Sequence, residues 1–123
     1  MVFFKYLKSY FNYSTNGRAS INEYIRLSVI DLVLFVFLMF AAIAISECLG
    51  QWPVVIIFCS LVWHHHAVTR RRQHDFYNQR PISNFDNPRS NPIEIFIDFI
   101  SLFSLDSDEG ENEYGPEPWD SKK

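Results

Sequence analysis

The densest group of polar side chains is Arg71-Arg72-Gln73-His74-Asp75, which follows an apolar stretch. Paired arginines at a membrane surface can hold a lipid phosphate or another anionic ligand, and a histidine beside a carboxylate can transfer protons or bind a metal. Neighbouring residues on a helix point apart, so His74 and Asp75 would converge only in a loop. The alternative is that the arginines fix the orientation of a membrane helix and cap its end, and we favour this simpler interpretation. Arg71, Arg72, His74 and Asp75 are thus a candidate anionic-lipid or ligand group, and no catalytic residue is assigned.

The histidine run His64-His65-His66 is a second feature that could do chemistry, because imidazole is a common metal ligand. Cys59 or His74 could join such a site. However, successive helical residues do not face one another, whereas metal-binding helices use spacings such as i, i+4. No second cluster of carboxylates or cysteines completes a tetrahedral set. We therefore predict histidines at a bilayer interface, with no metal and no cofactor.

Asp31 is an acidic residue inside the long apolar run of residues 27–46. A carboxylate in hydrocarbon is costly, so by default it faces a partner or water. One interpretation pairs it with an arginine of the Arg70 to Arg72 group at the same membrane face. The other places Asp31 close enough to the interface to reach water, and the sequence leaves both open.

The elements that position these residues begin with the run of residues 27–46 itself. At ~1.5 Å per residue it measures about 30 Å, which is the thickness of the hydrocarbon core of a bilayer. The run is too long for the apolar region of a signal peptide, so we predict a transmembrane helix. Ser20 and Glu23 have the spacing of a capping box, which predicts that this helix begins near Ile21.

A second span is predicted over residues 49–68, opened by Gly50. Its apolar centre is flanked by Trp52 and Trp63, which suits the preference of aromatic residues for the two membrane interfaces. The stretch reaches spanning length only when the histidines are included. Residues 20–68 therefore predict a two-span transmembrane helical hairpin with a tight turn.

The charge distribution predicts how this hairpin is oriented. Basic residues flank it on both sides, whereas the short connection carries Glu47. Under the positive-inside rule, both flanks are therefore cytoplasmic. The basic residues are Lys5, Lys8, Arg18 and Arg26 before the first span and Arg70, Arg71, Arg72 and Arg80 after the second.

The N-terminal segment, residues 1–19, is aromatic and basic, and it predicts an amphipathic helix lying in the membrane interface. A frayed terminus is the alternative. The apolar residues that fall at helical spacing are Phe3, Phe4, Leu7 and Phe11.

After the hairpin, residues 69–92 predict a basic polar loop and residues 93–105 a short apolar helix. That helix would reach only about 20 Å, which is too short to span a bilayer. We expect it to lie in the interface or to pack against the hairpin, with Asn91 or Ser90 as its cap.

Residues 106–123 are rich in acids, glycines and prolines, which predicts a solvated, disordered tail. The acids are Asp106, Asp108, Glu109, Glu111, Glu113, Glu117 and Asp120.

Averaged over its 123 residues, the chain has a mean hydropathy of −0.06, a net charge of −3 and a pI of about 5.7. The acidic balance argues against a nucleic-acid-binding protein, and two cysteines exclude a disulfide scaffold. The averages merge an apolar hairpin with an acid-rich second half. The predicted fold class is an all-α membrane protein: a two-span hairpin with an N-terminal amphipathic helix, a short C-terminal interfacial helix and a disordered acidic tail.

Three short motifs are interleaved with the apolar segments. Residues 16–24 read N-G-R-A-S-I-N-E-Y, residues 71–75 read R-R-Q-H-D, and residues 110–118 read G-E-N-E-Y-G-P-E-P. In this order they resemble the G-R-A-S-x-x-E-Y, R-R-L-H-D and G-x-N-x-Y-G-P-x-P motifs of the YhaH-like small inner-membrane proteins of bacteria, a family of unknown function. The residues that carry the resemblance, besides the R-R-x-H-D group, include Gly17, Arg18, Ser20, Glu23, Tyr24, Asn112, Tyr114, Gly115 and Pro116.

The chain departs from that family at Gln73, where leucine is usual, and in its short last apolar segment, so it looks like a divergent member. The resemblance implies a bacterial inner membrane and no particular activity. We expect a non-enzymatic, multi-pass protein with both termini cytoplasmic that assembles with membrane proteins or lipids, including anionic headgroups, and possible homo-oligomers, but not with nucleic acid. The alternatives are a membrane-surface ligand-binding protein or enzyme using the R-R-x-H-D group, and an oligomeric transporter component with Asp31 in its pathway.

Overall fold

Four helices form the secondary structure of the part of the chain that the computed structural model describes, residues 2–81 and 90–120. They are α1 (Val2–Tyr10), α2 (Ile21–Leu49), α3 (Trp52–Asp75) and α4 (Pro92–Ser104). Within these ranges no strand forms, and Asn112 and Gly115 make an isolated bridge. The chain is therefore all-helical, as predicted. Residues 82–89 of the predicted basic loop and 121–123 of the predicted tail lie outside the described residues.

The two long helices, α2 and α3, pack against each other as an antiparallel hairpin. Gly50 ends α2: its φ of +73° costs little only for glycine, and its N–H donates to the carbonyl oxygen of Ser46 at 3.1 Å. A proline in the first turn of α3, Pro53, needs no hydrogen-bond partner there. The predicted tight hairpin is confirmed.

The start of α2 is fixed by Ser20, whose hydroxyl accepts a hydrogen bond from the N–H of Glu23 at 3.1 Å. The helix therefore begins at Ile21, as the capping pattern predicts. The carboxylate of Glu23 turns away from the cap and accepts hydrogen bonds from Ser9 and Arg71 instead. One half of the predicted capping box is thus replaced by tertiary contacts.

Both hairpin helices are long and apolar enough to cross a membrane. With 29 and 24 residues, α2 and α3 measure about 43 and 36 Å at ~1.5 Å per residue. Since α3 continues to Asp75, the arginines at 70–72, predicted to lie in a loop, are helical.

The apolar core is small and lies at the end of the hairpin where α2 begins and α3 ends. Tyr10 and Leu105 pack against it, so the N-terminal helix and the segment after α4 both reach the same place. The core residues are Tyr24, Leu27, Val68, Phe76 and Leu102.

The short helix α4 begins at Pro92, and the Asn91 side chain caps it by accepting from the N–H of Ile93 at 3.0 Å. Its inward face is formed by Ser101 and Leu102, which are buried against the hairpin. Most of its large apolar side chains remain exposed.

The prediction of a disordered acidic tail is wrong for residues 106–120. This segment folds back on the base of the hairpin, where Asp108 is 5% exposed and the backbone groups of Asn112 and Gly115 pair at 3.0 and 3.1 Å. At its far end Trp119 lies against Tyr6, with ring centroids 5.6 Å apart. The physical reason is that buried arginines donate to the carbonyl groups of the segment, as described below.

Candidate functional site

A buried network of ion pairs and hydrogen bonds joins the three sequence motifs at the base of the hairpin. We call it the polar clamp. Its arginines and carboxylates are equal in number, so their charges balance within a buried space. The clamp residues are Arg18, Glu23, Arg71, Arg72, Asp75 and Asp108, each at most 8% exposed.

Asp75, the last residue of α3, is the centre of the clamp. Its carboxylate is fully buried and accepts from Arg18 Nε at 3.0 Å and from Arg72 Nη1 at 2.7 Å. The hydroxyl of Ser107 also donates to it, and the backbone N–H of Asp108 donates to the carbonyl oxygen of Asp75 at 2.7 Å. The C-terminal end of α3 is therefore covered on one side by the segment before α2 and on the other side by the segment after α4.

Arg18 connects the first motif to the last. Besides Asp75, its guanidinium donates to the carbonyl oxygens of Gly110 at 2.5 Å and Gly115 at 3.3 Å, and to that of Asp108. Five donors in a rigid fork suit several acceptors at once, which a lysine could not match. Arg18 thus orders the acidic segment through the segment's backbone carbonyl groups.

Arg72 makes the corresponding contacts with the end of α4. Its side chain is fully buried, and Nε donates to the carbonyl oxygen of Leu102 at 3.0 Å, while Nη2 donates to that of Leu105. These are carbonyls at the C-terminal end of α4, which have no partner within the helix and are favourably met by a cation. Arg72 therefore caps α4 from the side.

Arg71 joins α3 to α2 and to the N-terminal segment. Its Nη1 donates to Glu23 at 3.2 Å and its Nη2 to the carbonyl oxygen of Asn12 at 3.3 Å. The backbone continues the link, because the N–H of Ala19 donates to the carbonyl oxygen of Arg71 at 3.0 Å.

His74 points to a different partner from its neighbour Asp75. Its Nδ1–H donates to the carbonyl oxygen of Gly17 at 3.0 Å, and its ring stacks on Tyr114 with centroids 3.8 Å apart and planes 3° from parallel. Burial raises the pKa of Tyr114 above its ordinary value, so the phenol stays neutral in this stack. Asn112 donates to the carbonyl oxygen of His74 at 2.9 Å.

The candidate residues are therefore brought together, but they bind one another and the backbone. The guanidinium groups of Arg71 and Arg72 are 3% and 0% exposed, so an external phosphate reaches them only if the clamp opens. His74 and Asp75 diverge, as expected for neighbours on a helix. The other motif residues shape the surroundings: Tyr24 belongs to the core, Ser20 caps α2, and Pro116 is exposed beside the turn.

Sequence reasoning missed Asp108, which appears there as one acid among many. In the structure its carboxylate accepts from the N–H of Asn78 at 2.9 Å, from Gln79 at 3.2 Å and from Asn112 at 3.0 Å. The available signal was its position just before the G-x-N-x-Y-G motif of residues 110–115.

Asp31 finds its partner on α3, in His64 rather than in the arginine group. His64 Nδ1 lies 2.9 and 2.8 Å from the two carboxylate oxygens of Asp31, and His64 Nε2 lies 2.6 Å from the carbonyl oxygen of Tyr10. The histidine run is not uniform, because His64 is 1% exposed whereas His66 is exposed. Among the described residues no group of three or more histidines, cysteines and acids is arranged to hold a metal.

Comparison with known proteins gives a family and nothing more specific. A family described as "Protein of unknown function (DUF805)" matches residues 10–116. That range contains the hairpin, α4 and all the clamp residues. No curated protein and no solved structure matches the chain.

Proposed function

The chain belongs to the DUF805 family of proteins of unknown function, and we propose that it is a small integral membrane protein that acts by assembling with other membrane proteins or with lipids. In this proposal α2 and α3 cross a bacterial inner membrane, and both termini and the polar clamp lie on the cytoplasmic side. The protein then serves as a binding component rather than an enzyme.

The observation that carries the proposal is the apolar surface of the hairpin. Val33, Phe37 and Phe40 on α2 are 62%, 68% and 71% exposed, and Ile56 on α3 is 67% exposed. In water a soluble monomer rarely shows a continuous apolar patch above about 300–600 Å². A bilayer covers such a surface at no cost, and the backbone polar groups of the two helices are satisfied within each helix.

The orientation rests on where the charges lie. The start of α2 and the end of α3 meet at the clamp, with Arg18, Arg71 and Arg72, while the opposite end of the hairpin carries Glu47. Basic residues close to membrane spans are retained in the cytoplasm. Both termini belong to the clamp end, because Tyr6 of α1 contacts Trp119 of the last segment.

The way the polar groups are used supports a binding role. The charged side chains of the clamp form hydrogen bonds and ion pairs within the chain, so they hold its segments together and do not form a substrate-binding site. The surface left for partners is therefore apolar: the lipid-facing sides of α2 and α3 and the exposed faces of α1 and α4.

Cysteine labelling tests the topology. Cys48 is a free, exposed thiol at the turn, and Cys59 is replaced by serine to leave Cys48 as the single thiol. A membrane-impermeant maleimide should modify Cys48 in intact cells. A matched variant, Cys48→Ser with Glu111→Cys in the exposed acidic segment, should react only after the membrane is opened. The opposite pattern, or extraction of the protein by alkaline carbonate, would contradict the proposal.

Assembly is tested separately with a photoreactive amino acid at Phe40, whose side chain faces outward. Defined cross-links to a second membrane protein or to lipid are expected there and not at Glu111. Equal cross-linking at the two positions would contradict the proposal that the apolar surface binds a partner.

A further inference from the structure

Asp31 and His64 meet inside the hairpin, on the side of the clamp that faces the turn. Asp31 follows the start of α2 by about three helical turns, and His64 precedes Asp75 by a similar distance, which places the pair roughly 15 Å from the clamp. Both side chains are buried, at 6% and 1% exposure. The polar clamp makes no use of them.

Both ring nitrogens of His64 face oxygen atoms, which act as acceptors when Asp31 is ionised. Nδ1 lies 2.8 and 2.9 Å from the two oxygens of the Asp31 carboxylate, and Nε2 lies 2.6 Å from the carbonyl oxygen of Tyr10. A neutral imidazole has one N–H and one bare nitrogen, so beside an ionised Asp31 one of these contacts would set a lone pair against a lone pair. The nearly equal distances to the two oxygens of Asp31 suit an N–H that donates to an ionised carboxylate. The geometry is therefore that of an imidazolium with two N–H donors.

The side chains that pack on the His64 ring from the Tyr10 side are aromatic. The rings of Tyr10 on α1 and Tyr13 in the following segment lie 4.9 and 5.1 Å from the His64 ring. On α3 itself, His65 approaches Asp31 to 3.9 Å and is about half exposed. Asp31 on α2 and His64 on α3 are thus the groups that exchange charge directly, and together they are neutral while the proton is bound.

We propose that Asp31 and His64 form a proton-binding site inside the hairpin and that the bound proton fastens α1 to the hairpin. When His64 gives this proton to water, one N–H bond breaks and the site passes from neutral to a single negative charge. The remaining N–H stays with the charged acceptor, Asp31, because a hydrogen bond to a carboxylate is stronger than one to a neutral carbonyl. The carbonyl oxygen of Tyr10 then loses its donor. The ligand of the site is a proton, and its loss releases the contact between α1 and α3.

The direction of the pH dependence follows from proton counting. The form with α1 attached holds one more proton than the form with α1 released, so attachment weakens as the pH rises. One proton limits the effect to about a 10-fold change in the equilibrium per pH unit. A second link of α1 to the hairpin, from Ser9 to Glu23, lies at the clamp and keeps the helix nearby.

The protonation state is measured by nitrogen NMR of the full chain, labelled with ¹⁵N-histidine and placed in lipid nanodiscs at about pH 7. Both His64 nitrogens should carry hydrogen, and in Asp31→Asn one of them should become bare. His66, which is exposed on the same helix, is the internal reference. A bare ring nitrogen at His64 in the unmodified protein would overturn the proposal.

The link to α1 is measured by amide hydrogen exchange at Tyr10 and Phe11, corrected for the base catalysis of exchange itself. Exchange in the unmodified protein should accelerate as the pH is raised, by up to about 10-fold per pH unit. His66→Gln should behave like the unmodified protein. Corrected rates that do not change with pH would refute the fastening role, and this arm needs no substitution that could disturb folding.

Discussion

Asp75→Asn should open the polar clamp while leaving the hairpin in place. The carboxylate is fully buried and is the shared partner of Arg18 and Arg72, at 3.0 and 2.7 Å. Asparagine keeps the shape but removes the charge, and its amide hydrogens would point at groups that are themselves donors. Removing one member of a buried ion pair typically costs about 3–5 kcal/mol, because the remaining charge stays buried without compensation.

We take the lower end of that range, because Arg18 and Arg72 keep their hydrogen bonds to backbone carbonyls. A loss of about 3 kcal/mol corresponds to more than 100-fold in the population of the open clamp. The segment that this releases is residues 105–120, which is held through Arg18 and through the N–H of Asp108.

The assay is limited proteolysis in lipid nanodiscs with a protease of broad specificity, followed by mass spectrometry of the cleavage sites. When opening and closing are faster than cleavage, the cleavage rate follows the open population. Glu111→Gln is the matched control, because it removes the same charge from an exposed position of the same segment. Equal cleavage rates of residues 105–120 in the two variants would refute the reasoning that the buried carboxylate holds the segment.

Two further substitutions probe the other parts of the clamp. Glu23→Gln leaves the guanidinium of Arg71 buried opposite a neutral amide, and we expect a loss of about 3 kcal/mol in the stability of the clamp end, measured by thermal unfolding in detergent. Glu47→Gln, at the exposed turn, should change nothing measurable, and an equal loss in both would contradict the assignment. Gly115→Ala places a side chain at φ +120° and should cost about 1–3 kcal/mol, with faster amide exchange in the turn that Arg18 holds. Unchanged exchange there would show that the turn tolerates a Cβ.

The part of the fold that depends on local pattern is predictable from the sequence. The start of α2 follows from the Ser20 cap, the turn follows from Gly50, and the length of the spans follows from hydropathy. Each of these is fixed by residues within a few positions of one another. The register of α2 against α3 is not predictable in this way, because it depends on how the long faces of the two helices pack together.

The partner of Asp31 illustrates this limit. A hairpin symmetrical about Gly50 would set Asp31 opposite Thr69, next to the arginines, which is where the sequence suggests a partner. In the structure Asp31 faces His64 instead. The register is displaced by about five residues, more than one helical turn, and no local signal encodes such a displacement.

The acidic segment shows a second limit. Its composition is that of a disordered chain, since few of its side chains can be buried. It is ordered because the buried guanidinium groups of Arg18 and Arg72 need hydrogen-bond acceptors. The backbone carbonyl groups of Gly110 and Leu105 accept these hydrogen bonds. Composition reports only the residues of the segment itself, whereas the arginines that order this segment lie elsewhere in the chain.

Under the proposed function, the three motifs act on partners indirectly. The core at the base of the hairpin is too small to fix α1 and α4 by itself, so the clamp supplies the specific contacts that do so. α1 is reached through Glu23, and α4 through Arg72. Opening the clamp would therefore change how the apolar faces of both helices are presented. A partner that recognises those faces would lose affinity on substitution of Asp75, although it never touches that residue.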